Sequence, residues 1–93
     1  MATPQQKTRL SVQVVCLTIS PPFTKQMLVP MGQTVGWCVN ASGIYGLHPQ
    51  LRGGNLGVWN TPARPDVLAQ EGDRIEVYTA VLPEAITAAR QKS

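Results

Sequence analysis

The chain is poor in cysteine, in charge and in long apolar runs, and each shortage removes a class of function. Its two cysteines, Cys16 and Cys38, sit inside apolar stretches with no metal-ligand spacing between them or to the lone His48. Two buried, reduced thiols are expected, and a four-cysteine iron–sulfur site fails on ligand count. Charged residues make up 14% of the chain and its net charge is +3. The cations are scattered: Lys7 and Arg9 lie near one end, Arg90 and Lys92 near the other, and Lys25, Arg52, Arg64 and Arg74 fall singly between. Tracking phosphates needs several cations on one face, so nucleic acid is not the expected partner. The opening MATPQQKTRL has no apolar h-region, and no apolar run approaches the roughly 20 residues of a membrane-spanning helix. No membrane insertion is expected, and the expected location is the cytoplasm.

What is present fits one small folded domain. Ninety-three residues with 43% apolar content are enough for one hydrophobic core and too few for a second domain. Eight glycines and eight prolines punctuate short apolar runs, the signature of strands and turns. Residues 1–8 are polar and read as a disordered lead-in, residues 9–82 as the domain, and residues 83–93 as a flexible or short helical tail.

Leu10, Val12, Val14 and Cys16 alternate with Ser11, Gln13 and Val15, which predicts a half-buried strand over 9–17. Pro21-Pro22 interrupts it, and a second strand runs through Val29 to complete a hairpin. Its Val29, Met27 and Lys25 share one face and its Leu28, Gln26 and Thr24 the other. Thr34 then caps a helix near 33–43 carrying Val35, Cys38 and Val39 on one side, with Gly43 just past its end. Gly36 inside that helix costs about 1 kcal/mol relative to alanine, which packing must offset. Residues 44–54 read as a loop, 55–60 as a short strand and 61–66 as room for a minor strand. Glu71-Gly72-Asp73 reads as a tight turn before a closing strand, Arg74–Thr79, with Ile75 and Val77 inward and Glu76 and Tyr78 outward. The expected core is Val12, Val14, Val35, Cys38, Val39, Leu56, Val58, Leu68, Ile75 and Val77.

That order of elements, closed by Glu71–Tyr78, resembles the ubiquitin-like β-grasp fold and, more closely, the bacterial RnfH family. The residues that carry the resemblance are Val12–Cys16, Thr34-Val35, Ala41–Ile44, Leu47-His48-Pro49, Gly57-Val58-Trp59, Asp66-Val67-Leu68, the closing strand, and Pro83-Glu84-Ala85 with Arg90. The chain departs from that pattern in Thr79–Leu82, where relatives usually carry Arg-Pro-Leu, and in Gln50–Gly54, where they usually carry acids. The resemblance implies an α+β domain in which a mixed four- to five-stranded sheet packs on one helix. It also implies association with the Rnf electron-transport complex in some genomes and with a START-like toxin protein in others.

β-grasp proteins that carry sulfur or become conjugated end in Gly-Gly, whereas this chain ends Arg90-Gln91-Lys92-Ser93 and its Gly53-Gly54 is internal. A sulfur-carrier or cofactor-synthesis role is therefore disfavoured, and an RNA- or ribosome-associated role is a further alternative. His48 before Pro49 reads as a turn residue, and Cys16 as an inert inward thiol, so no catalytic constellation, cofactor or metal is expected. What remains is a monomeric, non-enzymatic module that docks on another protein through its sheet face or an edge strand. In a β-grasp sheet Leu28, Val15, Tyr78 and Trp59 are expected to form an outward row, and a clustered apolar and aromatic row fits docking. Trp37, on the side of the helix away from Val35, Cys38 and Val39, is a second candidate.

Overall fold

A computed structural model describes residues 8–79. Its order is β1 (Arg9–Cys16), β2 (Phe23–Pro30), α1 (Val35–Ala41), α2 (Ile44–Leu47), a 3-10 turn (Pro49–Leu51), β3 (Leu56–Val58), β4 (Thr61–Ala63) and β5 (Arg74–Val77). The five strands form one mixed sheet in the order β2-β1-β5-β3-β4, with β1 and β5 parallel and every other pair antiparallel. A mixed sheet packed on a short helix between its first hairpin and its later strands is the β-grasp arrangement. The tail assigned to residues 83–93 lies outside the described residues.

The period-two pattern decides which face of each strand is buried. Leu10, Val12, Val14 and Cys16 of β1, Val29 of β2, Leu56 of β3, and Ile75 and Val77 of β5 meet Val35, Cys38 and Val39 of α1 in one core. Cys16 and Cys38 are both buried and free. Burial pushes the Cys38 thiol up, and the negative charge of Asp73 adds to the effect, so this thiol is a poor nucleophile.

Helix α1 begins where Thr34, in extended conformation, accepts the Trp37 N–H on its hydroxyl at 3.0 Å. Its other early donors go to the loop before β5: Val35 N–H to the Val67 carbonyl at 2.7 Å and Gly36 N–H to that of Pro65 at 2.9 Å. That approach explains Gly36, since a Cβ there would lie 3.0 Å from the Pro65 Cβ. The helix stops at Gly43, which takes φ +85°.

Three expectations are corrected. Residues 44–54 are not an irregular loop: α2 and the 3-10 turn place Ile44 and Leu51 wholly in the core, which their four- and three-residue lengths hide from any periodicity test. Leu68 is 58% exposed and Ala69 is buried in its place. Pairing with the helix entrance sets that parity, because Leu68 bridges Thr34 and the Ala69 N–H binds the Gln33 carbonyl at 2.9 Å. The strand expected over 55–60 ends at Val58, and Trp59 and Asn60 form the turn into β4.

Candidate functional site

The outward face of the sheet is built around a buried carboxylate. Alternation along β5 turns Glu76 away from the core, yet it is only 6% exposed. Both of its oxygens accept the Asn60 N–H at 3.0 Å, and Oε1 also accepts the Tyr78 hydroxyl at 2.5 Å. Arg74 Nε stands 4.0 Å from Oε2, too far for a hydrogen bond but close enough to share the charge. Desolvating a carboxylate is costly unless its lone pairs are satisfied, and these donors supply that compensation. The same bond holds the Tyr78 proton: its hydroxyl is pushed up to about 12, first by the hydrogen bond to Glu76 and then by burial.

Space for the carboxylate comes from Gly57, which pairs with Glu76 across β3 and β5. A Cβ at position 57 would lie 2.9 Å from Glu76 Oε1, 3.0 Å from the Tyr78 hydroxyl and 3.1 Å from the Thr61 carbonyl oxygen.

Glu76 in turn holds a strained hairpin. Val58 pairs with Thr61, so Trp59 and Asn60 are the two central residues of the turn, and their φ values are +49° and +67°. Two positive φ angles define a type I′ turn, where Gly or Asn is usual and a bulky residue is an outlier. Trp59 is held there by its backbone N–H on the Arg74 carbonyl at 3.0 Å, its indole N–H on the Gly72 carbonyl at 3.1 Å, and the Arg74 guanidinium 5.9 Å from its ring centroid. Even so tethered, Trp59 is 58% exposed.

The expected row of four does not form as one strip. Leu28 faces Ser11 on β1, four residues from Val15, and is 68% exposed, whereas Val15 is buried at 2%. Tyr78 and Trp59 flank opposite ends of β5, beside Asn55 and Arg74 respectively. Trp37 is exposed on α1, away from the outward face. Gln13 and Gln26 pair beside Arg74, giving the face a polar centre. Sequence reasoning missed Glu76 as a structural centre. The signal was Gly57, a glycine between the apolar residues of a short strand, which marks a close approach.

His48 serves the turn through its backbone: its N–H donates to the Ile44 carbonyl at 2.7 Å and its carbonyl accepts the Leu51 N–H at 3.0 Å. Among the described residues, no cluster of three or more His, Cys, Asp or Glu side chains could hold a metal ion. No helix among them is long and apolar enough to cross a membrane.

Comparison with known proteins decides the family. The model for the RnfH family of ubiquitin-like proteins matches residues 10–92. The chain belongs to the RnfH family. It is 32% identical over 94 residues to Protein RnfH of Pseudoalteromonas translucida, a match spanning 99% of this chain and 74% of that protein. A UPF0125 protein of Ralstonia nicotianae is 32% identical over 95 residues, covering 99% of this chain and 76% of its own. Another, from Chromobacterium violaceum, is 31% identical over 87 residues, covering 91% and 87%. The family match makes this chain a ubiquitin-like protein-interaction module.

Proposed function

We propose that this chain works in the cytoplasm as a docking module whose outward sheet face presents Trp59 to a protein partner, with Tyr78 as a secondary contact. The observation that carries this reading is an exposed tryptophan held rigidly in a backbone conformation that suits it poorly. Strain of this kind costs on the order of 1–3 kcal/mol, and it gathers at sites where a side chain must be held ready for use. A large amphipathic ring fixed before binding loses little entropy on docking, which is how a small patch acquires affinity.

The partners to try first follow from the family resemblance: a component of the Rnf membrane complex and a START-like toxin protein. The test is direct binding of each to the wild-type chain and to Trp59→Asn. The reading expects about a 30-fold loss for the variant, corresponding to a removed hot-spot contact of about 2 kcal/mol, with the fold retained.

A further inference from the structure

We infer that the free edge of β2 is a second docking surface, and that it takes an extended strand from an acidic partner. The sheet order leaves two edges, β2 and β4. Strand β4 has three residues and Pro62 at its centre, which blocks strand addition. Strand β2 has eight, with its only proline, Pro30, at the end.

The direction of each β2 backbone group follows from the ladder. The Met31 N–H binds the Thr8 carbonyl at 2.9 Å, so position 31 points its backbone groups at β1. Antiparallel pairing alternates, and therefore Val29, Met27 and Lys25 also point inward while Pro30, Leu28, Gln26 and Thr24 point to the open edge. Strand β1 agrees from its other side: Gln13 N–H binds the Asp73 carbonyl and the Ser11 carbonyl accepts the Gly72 N–H, both on the β5 side. Pro30 is thus an edge position where no N–H is missed, and the amides of Thr24, Gln26 and Leu28 form a row facing outward.

Charge selects the occupant. Residues 1–65 contain Lys7, Arg9, Lys25, Arg52 and Arg64 and no Asp or Glu; the first acid is Asp66. Arg64 pairs with Asp66 and Arg74 with Glu76, while β2 itself carries one charge, Lys25, and no acid. The β2 edge is therefore cationic, and the carboxylate placed against the β1–β2 ribbon, Glu71, binds the Ser11 N–H on the β5 side of β1. A second copy would set two such ribbons side by side, whereas an extended segment alternating apolar and acidic residues would place carboxylates on the face of Lys25 and apolar side chains on the other, beside exposed Leu28. Gln26 and Trp59 line one shallow pocket on the outward face, whereas Lys25 lies on the other face, so the Lys25→Glu arm tests this edge independently of Trp59.

The experiment is titration of the isotopically labelled full chain with a capped heptapeptide alternating Val and Glu, and with its Val and Lys counterpart, followed by amide shifts and hydrogen exchange. The expected result is slowed exchange at Thr24, Gln26 and Leu28 with the acidic peptide. Lys25→Glu should weaken that peptide by about three- to tenfold, as for one exposed charge contact reversed. Gln26→Pro should keep the β1–β2 hairpin, because the Gln26 N–H takes no part in it, and should abolish binding. Equal binding of both peptides, protection elsewhere, unchanged binding by folded Gln26→Pro, or concentration-dependent protection of those three amides without peptide would each overturn the proposal. Should Gln26→Pro not fold, an unchanged affinity in Lys25→Glu overturns it alone.

Discussion

Gly57 and Glu76 face each other across β3 and β5 so closely that a single methyl group on the glycine would lie 2.9 Å from the carboxylate oxygen. The glycine is there for the volume it leaves free, and the carboxylate that fills it ties together Asn60, Tyr78 and the turn carrying Trp59.

Gly57→Ala should therefore displace Glu76 and cost about 1–3 kcal/mol, the usual range for overpacking, although alanine generally suits a strand better than glycine. Urea denaturation measures it. A variant as stable as the wild type would show that the carboxylate does not depend on that space.

The Tyr78–Glu76 bond has a spectroscopic signature. The chain has two tyrosines, and Tyr45→Phe leaves Tyr78 as the only one to titrate. Its hydroxyl should ionise near about 12, well above the ordinary value of about 10, and Glu76→Gln should bring it back down. The linkage has a definite sign. An acid whose folded-state pKa is raised holds its proton in the folded chain after the unfolded chain has lost it. The stability from this bond is thus complete below about pH 10 and is lost as pH rises toward about 12. Ultraviolet titration of both variants checks it; a Tyr78 that still ionises at about 12 in the Glu76→Gln protein would contradict the assigned cause.

Core assignment is tested by a pair of leucines. Leu51 is wholly buried and Leu68 exposed, so Leu51→Ala should cost about 2–5 kcal/mol and Leu68→Ala less than about 0.5 kcal/mol. Thermal melts of the two variants compare them directly, and a larger loss at Leu68 would reverse the assignment.

Those leucines also show which parts of the fold could be read from sequence. Strand β1 was legible because one of its faces is buried, and α1 because Thr34 and Gly43 mark its ends with side-chain and backbone chemistry of their own. Ile44 and Leu51 were not, because helical turns of four and three residues are too short to express a period. The outward position of Glu76 was legible from alternation. Its burial was not, since it arises where the β3–β4 turn folds back against β5, a tertiary meeting that neither segment records. The placement of Trp59 failed for a related reason: its residue type argues for a strand, and the turn it occupies is held by tertiary bonds from Trp59 to Arg74 and Gly72 and from Asn60 to Glu76.

Trp59→Asn tests the central claim most directly, because fold and function move apart in it. Asparagine suits the positive φ that tryptophan tolerates poorly, which offsets the lost indole bond and ring contact, so stability should stay within about 1 kcal/mol of the wild type. Binding to the cognate protein partner, measured by calorimetry beside a melting curve, should fall about 30-fold. A variant that melts like the wild type and binds with undiminished affinity would contradict the account.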